Sequence, residues 1–235
     1  MSARSSRKPF VFSNLATSLD GKINITGKGH FPLGTRDDWR EMQRLRKKSD
    51  AIVFGASTLR GFKAACCIEE HDWPLARQPV NVVLSSKLEG LSTSWPFFKD
   101  PRIKRILLVS DEASAERVRR FQRCCEVLVL PSSTRGSSQA ASILKLLEDR
   151  GLRQILVEGG GQVMWEFLKP NLIDEIHITL TPRILGGRDA PTLVEGAGFK
   201  GPEVLNFEIK SVKKLKNELY LVYQKTSARG VNPAW

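Results

Sequence analysis

The stretch with the clearest chemical content is Val157-Glu-Gly-Gly-Gly161. Three glycines expose bare backbone N–H groups, and a helix directly behind them adds the positive end of its dipole, a combination that suits a pyrophosphate. Glycine weakens strand and helix alike, so Gly159, Gly160 and Gly161 are out of place at such a junction for packing alone. Glu158, at the strand end, is positioned to reach a substrate hydroxyl or amine. Gly55-Ala-Ser-Thr-Leu-Arg-Gly61 also follows a strand. Its small residues let backbone N–H groups approach a phosphate, although a tight strand-to-helix turn explains the pattern equally well. It is neither a P-loop, since no Gly-Lys-Ser/Thr follows, nor G-x-G-x-x-G. Ala16-Thr-Ser-Leu-Asp-Gly21 sets Asp20 just past a strand and before a glycine, where by itself it reads as a turn residue. Thr181-Pro-Arg-Ile-Leu-Gly-Gly187 reads as a loop closing over the sheet.

Other chemistries lack their residues. The histidines His30, His71 and His177 are too dispersed for a metal site. No G-x-S-x-G elbow supports a catalytic triad, and the H-x-E and P-C-x-x-C pattern of zinc deaminases is missing. The four cysteines form two adjacent pairs, Cys66-Cys67 and Cys124-Cys125, without the C-x-x-C spacing of zinc or redox sites. They are read as reduced thiols.

The elements that must carry these segments alternate. Strands are expected at Phe10–Ala16, Asp50–Gly55, Val80–Leu84, Arg105–Val109, Glu126–Leu130, Gln154–Val157 and Asp174–Leu180. A helix capped by Thr35, with early acids, runs to Lys48. Others cover Ala113–Arg123, Ala140–Asp149 and Val163–Leu168, the second of these with Ile143, Leu144, Leu146 and Leu147 on its apolar face and Gly151 as its stop. Residues Leu59–Arg77 read as a polar, irregular insert. Val204–Ser211 and Tyr220–Lys225 read as paired strands turning near Lys216-Asn217. This order predicts an α/β fold: a mostly parallel sheet with antiparallel edge strands and helices on both faces. Residues 10–226 make a single domain, with a flexible basic segment at 1–9 and a flexible tail at 227–235.

With 41% hydrophobic and 26% charged residues, the 235-residue chain can bury a core. The net charge of +12 suits either phosphorylated small molecules or a polyanion. No helix-turn-helix, RNP or zinc-finger pattern accompanies it and the basic residues are spread, so no nucleic-acid partner is expected. No apolar run reaches membrane length and no secretory h-region follows the basic start, which predicts no membrane partner and a cytoplasmic location.

Taken in order, Ser18-Leu-Asp-Gly-Lys-Ile23, Leu45-Arg46 ahead of Ser49-Asp-Ala-Ile52, Gly55-Ala-Ser-Thr58, Val82-Val-Leu84, Val157-Glu-Gly-Gly-Gly161 and Pro182-Arg-Ile-Leu-Gly-Gly187 resemble the reductase domain of riboflavin biosynthesis. The resemblance spans most of the chain. It implies a dihydrofolate-reductase-like fold, NADPH as cofactor, and a homodimer. Its reaction reduces the ribosyl group of 5-amino-6-(5-phosphoribosylamino)uracil to ribityl, with hydride reaching C1 of a ring-opened imine. Carried over, Ala16, Ser57, Thr58 and glycines 159–161 hold the cofactor. Ser85, Ser86 and Lys87 meet its adenosine end, where a lysine and two hydroxyls suit a 2′-phosphate. Asp20 and Glu158 are the catalytic candidates; Arg46 faces the substrate, with His30 nearby in a lid-like loop.

The chain departs from that family after Gly55-Ala-Ser-Thr58. Where relatives continue with Asp-x-Pro and Thr-x-Arg, it reads Leu59-Arg-Gly-Phe-Lys-Ala-Ala-Cys-Cys67. A phosphorylated substrate then needs another anchor, expected from Arg46 with Arg60, Lys63 or Arg77. The departure also leaves room for a pteridine- or folate-like substrate on the same fold, and the charge for a non-enzymatic nucleic-acid binder. The deaminase half of many bacterial relatives has no counterpart in these residues, which implies reduction alone.

Overall fold

A computed structural model describes residues 8–27, 29–70, 73–130 and 138–226. The proposed tail at 227–235, most of the basic start and His71 lie outside the described residues. Among the described residues nine strands form one sheet: β1 (Phe10–Thr17), β2 (Ala51–Gly55), β3 (Val80–Leu84), β4 (Arg105–Ser110), β5 (Glu126–Leu130), β6 (Gln154–Val157), β7 (Glu175–Leu180), β8 (Phe207–Leu215) and β9 (Glu218–Lys225). Their order is β5-β4-β3-β2-β6-β1-β7-β9-β8. The first seven run parallel, and β9 and β8 close one edge antiparallel.

Parallel strands are buried on both faces, and these are: every residue of β2 is inaccessible. Helices α5 (Gln139–Asp149) and α6 (Gly161–Leu168) cover one face, packing Ile143, Leu147, Met164 and Phe167 on Val11, Val53, Val82 and Ile155. Helices α1 (Arg36–Arg46), α2 (Ala56–Phe62), α3 (Pro96–Lys99) and α4 (Ala115–Gln122) cover the other, where Leu45, Leu59, Phe97 and Phe121 meet Ile52, Phe54 and Leu107. Thr35 caps α1 as its sequence predicts, accepting from the Asp37 N–H at 3.2 Å. α5 stops at Gly151, whose φ of +78° favours glycine. Leu146 is only half-buried. No helix among the described residues is long and apolar enough to cross a membrane.

β7 alternates, and the side it buries is polar: Glu175, His177 and Thr179. They are tolerated because they find partners, His177 Nε2 to Glu175 Oε1 at 2.7 Å and Lys210 to Glu175. The stretch Leu59–Arg77 is not irregular throughout, contrary to expectation. It begins as α2, then sends Cys66, Cys67 and Ile68 into the core.

This inward strap is fastened by its backbone. The Asn81 amide, on β3 and fully buried, accepts from the Cys66 N–H at 2.9 Å and donates to the Cys66 carbonyl at 2.8 Å. Gln78 does the same for Ile68, at 2.8 Å each way. Gln43 donates to the Cys67 carbonyl and accepts from the Glu69 N–H. Side chains thus replace the sheet partners that an irregular buried segment lacks. Asn81→Ala leaves a buried N–H and carbonyl unpaired and is expected to cost about 2–3 kcal/mol. In urea titrations its midpoint falls with an unchanged slope; a parent-like midpoint would show that the strap does not depend on Asn81.

Candidate active site

Because β1, β2, β3, β6 and β7 are parallel, their carboxyl ends share one edge of the sheet. The chain leaves β2 outward for β3, β4 and β5, then returns to insert β6 between β2 and β1. That reversal opens a crevice at the strand ends, where open α/β sheets bind ligands.

The glycine turn sits in this crevice. Gly159 has φ +87° and its carbonyl accepts from the Gly55 N–H at 3.0 Å, which joins the ends of β6 and β2. Gly160 caps α6 without any side-chain partner. A Cβ added to Gly160 would meet Ile23 Cδ1 at 3.8 Å and Thr58 Oγ1 at 3.9 Å, ordinary van der Waals contact, so the backbone there tolerates a methyl group. Thr58 and Gly160, 102 positions apart by numbering, are therefore neighbours in the crevice. Gly161 differs. A Cβ there would collide with the Thr192 carbonyl and with Glu195 Cγ at 2.8 Å. Its missing side chain is required by the packing of the 192–195 loop.

Glu158 follows β6 directly. The strand registers set it between Phe54 on β2 and Asn14 on β1, beneath α1. Its carboxylate is gripped by Arg46: Nε to Oε1 and Nη2 to Oε2, both at 2.7 Å. The third arm, Nη1, donates to the Cys67 carbonyl at 3.0 Å. Both side chains are less than a tenth exposed. Burial works against the Arg46 charge, but the Glu158 carboxylate more than offsets it and holds the guanidinium proton above the ordinary arginine range. Arg46 is thus committed to Glu158 and the strap, so the expectation that it anchors a phosphate is revised.

Asp20 is likewise occupied. It accepts from Ser18 Oγ at 2.7 Å, the Leu185 N–H at 3.0 Å and the Gly186 N–H at 2.7 Å. The Ser18 hydroxyl foremost, then these backbone donors, lower its carboxyl to about 2. A group ionised throughout the neutral range is no proton donor there. Asp20 instead ties the 185–186 loop to the end of β1.

The remaining candidates divide by location. Ala16 lines the end of β1 and is half-buried. Ser57 is exposed one position before Thr58. Ser85, Ser86 and Lys87 follow β3, two strands from the glycine turn, roughly 10 Å away by strand spacing. Ser85 Oγ accepts from the Leu88 N–H, and exposed Lys87 pairs with Glu112 at 3.1 Å. Arg60 belongs here too, since it donates to the Glu89 carbonyl at 3.2 Å in the loop that follows β3. Lys63 stands over the Trp95 ring, 5.7 Å from its centre. Arg77 stacks on Trp73 just ahead of β3, at the opposite edge of the sheet, beside a cavity of about 680 Å³ lined by Lys47, Asp50 and Lys104. The structure does not bring it to the crevice. His30 stacks on Phe62 at 4.0 Å, which folds its loop onto α2, and burial lowers its imidazole from the usual range.

Sequence reasoning missed Asn81, Gln43 and Cys66. An asparagine within Val80-Asn-Val-Val-Leu84 is itself a signal, because an amide in a buried strand requires internal partners. Gln43 and Cys66 give no such mark.

Residues 9–221 match the family model of the RibD C-terminal domain. The chain belongs to that family. It is 32% identical to the 2,5-diamino-6-ribosylamino-4(3H)-pyrimidinone 5′-phosphate reductase of Archaeoglobus fulgidus over 82% of this chain and 89% of that one. It is 30% identical to the protein of that name from Methanothermobacter thermautotrophicus over 92% and 98%. Among solved structures it resembles RibD of Acinetobacter baumannii, with a TM-score of 0.74 and 19% identity over 94% of this chain; it spans 59% of that longer chain. A dihydrofolate reductase from Enterococcus faecalis shares the fold with a TM-score of 0.52 and 16% identity over 93% of this chain and 97% of that one. RibD C-terminal domains are reductases of riboflavin biosynthesis on a dihydrofolate-reductase-like fold, and this chain has both the fold and the glycine turn.

The two glycines should separate experimentally. Gly160→Ala is expected to melt like the parent, whereas Gly161→Ala, which overpacks the 192–195 loop, should lose about 1–3 kcal/mol. Equal melting temperatures for the two variants would contradict this division.

Proposed function

We propose that this chain reduces the ribosylamino group of 2,5-diamino-6-ribosylamino-4(3H)-pyrimidinone 5′-phosphate, or of its uracil counterpart, to ribitylamino with NADPH. The observation that carries this reading is the bare backbone at Gly160, within contact distance of Thr58 and two residues after Glu158. The residues present fit a dinucleotide: Gly159, Gly160 and Thr58 take its pyrophosphate, Ala16 borders the nicotinamide, and Ser85, Ser86, Lys87 and Arg60 receive a 2′-phosphate. When bound, the cofactor supplies the hydride. One proton joins the ribosylamino nitrogen as the C1–N double bond of the opened sugar becomes single. The protein's own part is alignment and charge. Glu158, fixed by Arg46, presents a carboxylate to the cationic form of that nitrogen and favours it.

The substrate end lies on the β1 and β7 side. Arg183 follows β7 there and stacks on Phe31 at 5.5 Å, and Lys22 reaches the Ala190 carbonyl at 3.4 Å. Both replace Arg46, Arg60 and Arg77 as the anchor for a substrate phosphate. A homodimer is supported by β8, an edge strand exposed along most of its length with Ile209 and Val212 uncovered. Four free cysteines suit the cytoplasm.

Titration with each cofactor and assays of NADPH oxidation test the reading. NADPH should bind more tightly than NADH, and Lys87→Ala should narrow the gap several-fold. Arg183→Ala should lower kcat/KM for the phosphorylated substrate by about tenfold and leave cofactor affinity unchanged. Equal affinity for the two cofactors would sink the NADPH assignment. Equal turnover of substrate with and without its phosphate would remove the anchor, and turnover of a pteridine alone would replace the substrate class.

A further inference from the structure

Away from the crevice, the turn between α4 and β5 gathers two thiols on one atom. Adjacent residues of a strand point to opposite faces, but Cys124 and Cys125 stand in the turn ahead of β5, outside helix and strand alike. The Phe121 carbonyl, in the last turn of α4, accepts from both of their backbone N–H groups, at 3.0 and 3.1 Å. It also accepts from both side chains, Cys124 Sγ at 3.2 Å and Cys125 Sγ at 3.3 Å. The two sulfurs therefore converge on a common point, and both residues are half-buried, within reach of a small solute. A charged group adjoins them. Arg105 Nη1 reaches the Cys124 carbonyl at 3.5 Å, and its guanidinium otherwise donates to the carbonyls of Phe98, Asp100 and Ile103. No carboxylate among the described residues forms an ion pair with it, and that of Asp100 is taken by Arg102. A part-buried positive charge thus stands without an acid beside the paired thiols.

We propose that Cys124 and Cys125 form a two-thiolate site for a soft monovalent metal ion, Cu(I). Thiolates select soft ions, and Cu(I) is satisfied by two of them. A structural zinc ion takes four ligands, and the described residues offer no group of three or more His, Cys, Asp or Glu that could hold a metal. Charge points the same way. As the ion enters, each S–H bond breaks, two Cu–S bonds form and the two protons pass to solvent, with no change of oxidation state. The product carries one net negative charge, and Arg105 supplies the one positive charge that balances it. Burial foremost, and then the Cys124 charge, raise the Cys125 thiol above its ordinary range, so the ion must displace a proton there. A disulfide suits the pair less well. Adjacent Cα atoms lie about 3.8 Å apart, short of the roughly 4.4 Å at which disulfide spans begin. The other adjacent pair, Cys66 and Cys67, is buried in the core.

The test uses the reduced full-length chain, kept anaerobic and offered Cu(I) as its coloured bicinchoninate complex. The parent should withdraw one ion per chain, and X-ray absorption at the copper edge should show two sulfur neighbours. Cys124→Ser and Cys125→Ser should each lose more affinity than the about 10–100-fold that removal of an outer partner of a metal costs, and Arg105→Gln should fall within that range. The serine variants should keep the parent's circular dichroism and NADPH oxidation, because β5 is the outermost strand and its turn lies away from the crevice. If Arg105→Gln does not fold, the serine variants decide alone. The proposal is overturned if the parent takes no copper from the competitor, or if the double serine variant takes as much as the parent. It is equally overturned if three or more protein ligands surround the ion, or if Zn(II) binds as tightly as Cu(I).

Discussion

Burying an arginine and a glutamate costs more than their attraction returns unless geometry and further hydrogen bonds are nearly ideal. The Arg46–Glu158 pair meets that demand. Both bonds are 2.7 Å, and the remaining guanidinium arm has the Cys67 carbonyl. The pair joins the last residue of α1, the residue after β6 and the strap beyond α2, three pieces distant in sequence. Remove it and the carboxylate beside the glycine turn has no fixed direction. The side-chain amides of Asn81, Gln78 and Gln43 make sense as supports for this arrangement, because each holds the strap that completes it.

The parallel sheet supplies the rest of the site by placing chain ends together. The ends of β2, β3, β6, β1 and β7 bring Thr58, Lys87, Gly160, Ala16 and Arg183 to one edge, although none is local to another in sequence. The same geometry excludes residues. Arg77 precedes β3 and so lies a strand's length away, about 16 Å for five residues. Sequence position relative to a strand, before or after it, decides whether a basic residue can serve the crevice.

Much of this was legible in the residues. The strand order by type, the Thr35 cap and the Gly151 stop follow from local patterns. Their physics is short-range: periodicity, capping and backbone freedom. What stayed hidden depends on long-range partners. Arg46 looked like a substrate residue because nothing near it in sequence reveals that Glu158, 112 positions on, neutralises it. Gly161 resembled its neighbours because the Thr192 carbonyl that forbids a side chain comes from a distant loop. The strap from Cys66 to Ile68 has no period, since side-chain amides and not a ladder satisfy its backbone. By sequence Asp20 suits both a catalytic role and a turn, and its hydrogen bonds favour the turn.

A double-mutant cycle between Arg46 and Glu158, followed by both stability and turnover, bears most directly on this account. Arg46→Met and Glu158→Gln each strand one buried partner and should each cost about 3–5 kcal/mol of unfolding free energy. The double variant, with no unpaired charge left, should regain a large part of that loss yet stay catalytically impaired, because the carboxylate is gone. Additive stability losses below about 1 kcal/mol each would be the mark of a weakly coupled surface pair. That result, or parent-like turnover in the double variant, would contradict the claim that this buried pair sets the active carboxylate.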